Sequence, residues 1–352
     1  IPAFTPVVFN VILIVAASVI APNYNMPILV LAWGVLLAGF VQLIIQISPL
    51  INIDKLPVPK LDFNNEGVKK FMTIILPAII AGGILQINLL IDTIFASLLE
   101  TGSPTWLYIS DRLIQFPMGI FAIAIGTVLL PTLSKYDLST EKNNFVSTIK
   151  KGQKFVLFIG IPSLIGLFYC AEDLISTIFY RGAFTEADVI NSSYSLMAFS
   201  FGLPFFMLMK VLTPAFFSRK DTTTPMRVAL ISLFLNAALN YYLAFVLDLG
   251  HVGIAIGSSL AAFVSVCILE LILYRSGFIK SYSFVSRFSL MILVASCSLA
   301  LFLNFYTQKI NFMELNHLDR ILFLIIEVTI ATLIYFTISR IIYGKSLRKI
   351  LE

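Results

Sequence analysis

Long apolar runs separated by short polar segments extend from one end of this chain to the other. A helix needs about 20 mostly apolar residues to cross roughly 30 Å of hydrocarbon. Turn-forming residues stand between many of the runs, so the pattern predicts antiparallel helices with short links. The predicted spans are 3–21, 27–49, 68–99, 104–134, 145–170, 187–217, 224–247, 252–274, 286–306 and 320–343.

The pattern therefore predicts an all-α polytopic membrane bundle of about ten transmembrane helices, and the composition agrees. Of the 352 residues, 59% are hydrophobic and only 12% are charged, whereas soluble domains carry about 25% charged residues. The cysteines Cys170, Cys267 and Cys297 are far apart in apolar surroundings, which argues against zinc, haem or a disulfide framework. Because no nucleotide-binding or hydrolase motif is present, we expect a membrane transporter rather than an enzyme.

The basic residues are distributed asymmetrically along the chain. Of the 24 Lys and Arg, 19 lie at one set of alternate loops and ends and 3 at the other. Short cytoplasmic loops are enriched in Lys and Arg, so both ends of this chain are predicted to be cytoplasmic. The dispersed basic residues form no patch for nucleic acid. The chain opens at Ile1 without methionine and enters an apolar run at once, so we expect it to lack its start.

Ionisable residues within the predicted spans are candidates for function, because burying each one costs about 2.5–3.5 kcal/mol. Asp92 and Arg112 each lie eight residues from the outer end of adjacent helices, or about 12 Å deep. One interpretation is a salt bridge between them. The other is that Arg112 faces a water-filled cavity and binds an anion bidentately. Gln115 and Thr105 share its helix face, and Asp111 stands beside it.

A second polar group lies on the span 224–247. Asn236 and Asn240 are one helical turn apart, and Asn240 is predicted at about the depth of Asp92. A carboxylate with amide oxygens suits a hard cation such as Na⁺, whereas hydrogen bonding between helices by the two asparagines is the alternative. No role is predicted for three further ionisable residues within the spans, Lys210, Glu270 and Glu327.

Four segments make the chain resemble the MurJ (MviN) lipid II flippase family, within the multidrug/oligosaccharidyl-lipid/polysaccharide exporter superfamily. They occur in order, in matching helices and loops. They are 111–119 (DRLIQFPMG), 126–131 (GTVLLP), 182–185 (GAFT) and 214–225 (PAFFSRKDTTTP). The resemblance implies a fourteen-helix transporter of the bacterial plasma membrane, of which the ten helices here would be the fifth to the fourteenth.

The resemblance also implies a domain organisation and a site. Arg112 would contact the pyrophosphate of lipid II, with Thr105, Gln115 and Asp111 at the same cavity, although Gln115 departs from the acidic residue of some members. Asp92, Asn236 and Asn240 match a proposed sodium site. Residues 1–49 would end the amino-terminal lobe, 50–67 would be a cytoplasmic linker, 68–280 the carboxy-terminal lobe, and 281–352 two lipid-groove helices with a cytoplasmic tail.

The function implied is translocation of lipid II by alternating access, for peptidoglycan synthesis and cell shape. Lipid II and membrane lipids are the expected partners, cell-wall synthesis proteins are further candidates, and a monomer is expected. Two rivals stay open. One is a related exporter of lipid-linked oligosaccharides or cationic drugs, which would favour acidic cavity residues over Arg112. The other is a membrane scaffold that transports nothing.

Overall fold

The computed structural model describes residues 4–52, 66–279 and 287–343, and these ranges are almost entirely helical. Of the predicted linker 50–67, residues 53–65 lie outside them, and its ends belong to helices; the tail over 344–352 also lies outside them. The helices are α1 Thr5–Val15, α2 Pro27–Asn52, α3 Glu66–Ser97, α4 Ser103–Pro117, α5 Ala124–Ser134, α6 Lys142–Tyr169, α7 Ala171–Phe179, α8 Glu186–Phe217, α9 Thr223–Tyr241, α10 Gly250–Arg275, α11 Arg287–Thr307 and α12 His317–Tyr343.

Three of the predicted spans contain a π-helical turn. Such turns follow α1 at Ala16–Ile20, join α4 to α5 at Met118–Ile123, and follow α9 at Tyr242–Val246. A π turn inserts an extra residue into the hydrogen-bond ladder and bends or re-aims the helix. The turn between α4 and α5 begins directly after Pro117, whose ring cannot continue the normal ladder.

Nine helical segments of the described ranges are long and apolar enough to cross a membrane, and they coincide with nine of the ten predicted spans. The tenth prediction, 68–99, corresponds to α3, a continuous helix of 32 residues. The all-α polytopic class is therefore confirmed. The segment after α6 forms the separate nine-residue helix α7, which is too short to cross a membrane.

The chain divides into two compact units, Ile1–Ile74 and Ile75–Glu352. In the first unit, α1 packs on α2 at Gly34, whose missing side chain brings that backbone close to Ala16. Gln42 of α2 also donates a hydrogen bond to the carbonyl of Thr5, at 2.8 Å. Many large apolar side chains of this helix pair are exposed, as expected where lipid replaces water.

In the second unit, α8 is the central helix. It packs against α4, α5, α6, α7 and α10, and its buried side chains form much of the main hydrophobic core. Close approaches need small residues, as at Gly160 of α6, which lies against Pro204 and Met207 of α8. The pair α11 and α12 packs on α6 and α7. Of the helices that carry the candidate site residues, α4 packs on α8, and α9 packs on α10.

Candidate functional site

One face of α4 carries the predicted substrate-binding residues. The opposite face packs into the bundle through Trp106, Leu107 and Ile114. Thr105, Arg112 and Gln115 are all exposed, at spacings that place them on one side of the helix. The exposed stripe also includes Tyr108, which the sequence interpretation did not select.

The Arg112 guanidinium is held by its own helix. It lies over the Tyr108 ring, 4.7 Å from the centroid, and Nη1 donates to Gln115 Oε1 at 3.4 Å. Gln115 in turn donates from Nε2 to the carboxylate of Asp111. Within the described part of the chain, no carboxylate forms an ion pair with Arg112. The planar fork carries further N–H donors, the kind of group that binds anions.

The structure bears on one of the two interpretations of Asp92 and Arg112, the salt bridge between them. Its carboxylate accepts a hydrogen bond from Asn240 Nδ2 at 2.6 Å and a longer one from Asn88 Nδ2 at 3.4 Å. The predicted alternative, a salt bridge between Asp92 and Arg112, is therefore not present. Similar depth on neighbouring helices was the reason for that alternative, but Asp92 is directed toward α9 and α10 instead.

Asp92 belongs to a ring of four polar side chains. Asn240 Nδ2 donates to Asp92 and also to Asn236 Oδ1, at 3.0 Å. Asn236 Nδ2 donates to Ser258 Oγ at 3.0 Å, and Ser258 lies beside Asp92. Asn236 and Asn240 are 1% and 0% exposed, whereas Asp92 and Ser258 are half-buried, where α3, α9 and α10 meet. The structure thus brings together all three residues of the predicted ion site and adds Ser258.

The donor set of this ring suits a hard cation. Oxygens of Asp92 and Asn236 accept hydrogen bonds from the amide nitrogen of Asn240. The other amide atom, Asn240 Oδ1, is buried without a hydrogen-bond partner among the described residues. It lies against Gly257, where a Cβ would overlap it. If the amide turned over, Oδ1 would face the oxygens of Asp92 and Asn236 in place of an N–H donor. Oxygen is the ligand type that Na⁺ prefers.

The structure also shows the surroundings of the residues for which no role was predicted. Lys210 is exposed. Glu270 is 2% exposed and accepts a hydrogen bond from Gln153 of α6 at 2.9 Å. Glu327 is fully buried and accepts one from the Cys170 thiol at 3.1 Å. Sequence position alone could not identify these partners, which lie more than a hundred residues away.

An apolar cavity of about 390 Å³ lies in the second unit, bordered by α6, α11 and α12. Phe158 and Gly166 of α6 line one side, and Leu299, Leu303 and Ala331 line another. Apart from the Cys170 thiol and a few hydroxyls, its walls are hydrocarbon, which suits a hydrocarbon chain. The role of α11 and α12 in forming a lipid groove stays a prediction.

Two site residues were missed at the sequence level. Tyr108 precedes Arg112 by one helical turn, a spacing that could have marked it as a stacking partner. Ser258 lies on a helix with several small and hydroxyl residues, and nothing in its local pattern separates it from them. Its place in the ring follows from the packing of α10 on α9.

The fold and the site together define a class of protein, a polytopic helical membrane protein. One helix carries the exposed stripe with Arg112, and Asp92, Asn236, Asn240 and Ser258 form a second polar group, the acid–amide ring. Comparison with known proteins narrows the class. The family model "Lipid II flippase MurJ" matches residues 1–323. A probable lipid II flippase MurJ of Vibrio cholerae is 42% identical over 292 residues, and one of Haemophilus influenzae is 35% identical over 345 residues. The chain belongs to the MurJ lipid II flippase family, as its motifs predicted.

Solved structures agree with this assignment. A structure titled lipid II flippase MurJ in an inward closed conformation superposes with a TM-score of 0.77 at 25% identity, covering 98% of this chain and 68% of that one. An outward-facing multidrug transporter of the MATE family shares the fold, with a TM-score of 0.51 at 16% identity and coverage of 66% and 53%. The present chain spans 55% of the length of the Vibrio relative and 66% of the Haemophilus one.

Proposed function

We propose that this chain is part of a flippase that moves lipid II across the bacterial plasma membrane by alternating access. The observation that carries the proposal is the exposed Arg112 guanidinium, which has an aromatic platform and an amide neighbour but no ion-pair partner. A pyrophosphate presents paired anionic oxygens, and the planar guanidinium fork matches them better than a lysine ammonium does.

The surrounding residues support an anionic ligand at this position. Gln115 and Thr105 present further hydrogen-bonding groups on the same exposed stripe. Asp111 is hydrogen-bonded by Gln115 and interacts with Arg112 only through its charge, without an ion-pair contact, so the N–H donors of the guanidinium stay available. A drug exporter for cationic compounds would need the opposite charge here, because like charges disfavour binding by several kcal/mol.

The apolar cavity beside α11 and α12 would receive part of the long hydrocarbon tail of lipid II. This part of the proposal is supported by the aliphatic and aromatic side chains that line the cavity. The ring of Asp92, Asn236, Asn240 and Ser258 would bind Na⁺, which couples an ion gradient to movement of the substrate. The carboxylate supplies the one negative charge that this monovalent ion requires.

The proposal is tested by complementation in bacteria depleted of their own lipid II flippase, using the protein in its full length. Lipid II at the outer surface is measured with an added enzyme that cannot cross the membrane. Losing a charge-assisted hydrogen bond costs about 1.5–3 kcal/mol, so we expect Arg112→Ala and Arg112→Lys to lower export about tenfold or more.

The matched control is Arg181→Lys, an exposed arginine outside the stripe, which should export lipid II like the parent protein. Normal export by a well-expressed Arg112→Ala variant would contradict the proposal and favour a scaffold role. Transport of a cationic dye in place of lipid II would identify a drug exporter instead.

A further inference from the structure

A second pair of buried acids lies far from the arginine stripe, where α7 contacts α12. Asp173 of α7 is 5% exposed, and Glu327 of α12 is 0% exposed. Their carboxyl groups lie within reach of each other. Ionised carboxylates only accept hydrogen bonds, so a hydrogen bond between these two requires a proton on one of them.

The other contacts of the pair supply very little compensation. The Cys170 thiol donates to Glu327 Oε1 at 3.1 Å. Asp173 Oδ2 and Glu327 Oε2 are buried and receive no hydrogen bond from a described residue. An unpartnered charged oxygen in such a position costs several kcal/mol, so the pair cannot be stable with both acids ionised.

The nearest cation on α12 is committed elsewhere. Arg320 lies two turns before Glu327 on the same helix, and it donates to the carbonyls of Phe312 and Met313 at 2.7 and 2.9 Å. It makes longer bonds, of 3.4 and 3.5 Å, to the carbonyls of Ser176 and Tyr180 around the end of α7. Its guanidinium therefore joins α12 to the end of α7 through backbone groups, without neutralising the two acids.

The remaining titratable groups around the pair are neutral or acidic. Glu172 of α7 and Tyr306 of α11 interact electrostatically with Asp173. Glu186 of α8 interacts electrostatically with Glu172. Glu314, in the 3₁₀ turn that precedes α12, is exposed. Asp173 lies outside the membrane-spanning helices, and burial, followed by the Glu327 and Glu172 charges, raises its pKa.

We propose that Asp173 and Glu327 form a proton-binding site that holds α12 against α7. One proton is shared between the two carboxyl groups, and it leaves to solvent when the site opens. Full deprotonation would place two like charges side by side at low dielectric and separate the helices. Cys170, Leu174 and Val328 line the apolar cavity next to this site, so proton loss would loosen one of its walls. The site is independent of what the protein transports.

The first test is infrared difference spectroscopy of the purified full-length protein during a pH titration. A protonated carboxylic acid has its own carbonyl band, and we expect that band to persist at neutral pH in the parent. Asp173→Asn and Glu327→Gln should each remove the band intensity that titrates above the ordinary range of a carboxyl, about pH 4. Glu172→Gln, the neighbouring half-buried acid, is the matched control and should keep it. Retention of this intensity in Asp173→Asn or Glu327→Gln would overturn the proposal.

The second test is the pH dependence of thermal unfolding. A carboxyl whose pKa is raised by folding binds its proton more tightly in the folded state, so stability falls as the pH rises through the window above the ordinary value of about 3.9. The unfolding temperature of the parent protein should fall by about 3 °C or more between about pH 5 and about pH 9. Asp173→Asn cannot titrate and should show a flatter profile, with a higher unfolding temperature than the parent at the alkaline end. If the unfolding temperature changed with pH equally steeply in the parent and in Asp173→Asn, the shared proton would be contradicted. Glu327→Gln provides the same test if Asp173→Asn does not fold.

Discussion

At the scale of single residues, the acid–amide ring shows how a buried charge is tolerated within a membrane helix. Asp92 obtains its hydrogen bonds from the two asparagines Asn240 and Asn88 rather than from a cation. The ring therefore keeps its negative charge uncompensated by any described side chain, and the buried oxygen Asn240 Oδ1 remains unused. These two features are what a monovalent cation would satisfy.

Asp92→Asn removes the charge of this ring while preserving its shape. If Na⁺ binds there, the ion stabilises the parent by about 2.7 kcal/mol at a concentration one hundred times its dissociation constant, and the variant should lose this stabilisation. The measurement is the unfolding temperature in Na⁺ against K⁺ at constant ionic strength.

The control for this experiment is Asp248→Asn. Asp248 is exposed and has a positive φ of 54°, a conformation that asparagine tolerates, so its Na⁺ response should match the parent. An undiminished Na⁺ shift in Asp92→Asn would eliminate the ion site.

At the scale of elements, the π turns and the small residues beside them determine how the helices approach one another. The π turn at Tyr242–Val246 packs on α10. Gly253 makes that contact possible, because a Cβ there would lie 2.7 Å from Leu243 C and from Ala244 N, both of them backbone atoms. Backbone cannot move aside as a flexible side chain can, so this glycine controls the distance between α9 and α10.

Gly253→Ala should therefore force the π turn away from α10 and destabilise the protein by roughly 1–3 kcal/mol, the usual range for overpacking. Thermal unfolding in detergent measures the loss. Gly39→Ala in α2 is the matched control, because its Cβ would meet nothing within 4 Å. That substitution should be neutral or slightly stabilising, since alanine favours a helix over glycine. Equal stability of the two variants would show that the contact at Gly253 is not tight.

The helices themselves were largely predictable from the sequence. The predicted spans over 187–217 and 224–247 correspond to the observed Glu186–Phe217 and Thr223–Val246, and no end differs by more than one residue. Within hydrocarbon every backbone group must be bonded inside its own helix, so apolar length translates directly into structure. The π turns were not among the predicted elements.

At the scale of the whole molecule, the asymmetry of charge predicts how the protein sits in its membrane. Of the 24 Lys and Arg, 19 lie at alternate loops and ends predicted to be cytoplasmic. The loop after α5 and the loop after α11 should therefore be on opposite sides.

Single cysteines at Ser139 and at Gln308 test this orientation in intact cells, after replacement of the exposed Cys297. A membrane-impermeant maleimide should label position 308 and should label position 139 only after the cells are opened. Labelling of both positions, or of position 139 alone, in intact cells would refute the predicted orientation.

The sequence by itself determined the fold class, the positions of the helices and the family, because each depends on local composition or on a contiguous motif. The tertiary structure decided which side chains meet. A rise of about 1.5 Å per residue gives the depth of a residue in its helix, but the rotation of that helix and its neighbours depend on packing. For this reason the sequence left open whether Asp92 pairs with Arg112, and only the packing of α3, α9 and α10 directed it to Asn240. The contact of Glu327 with Asp173 was invisible for the same reason.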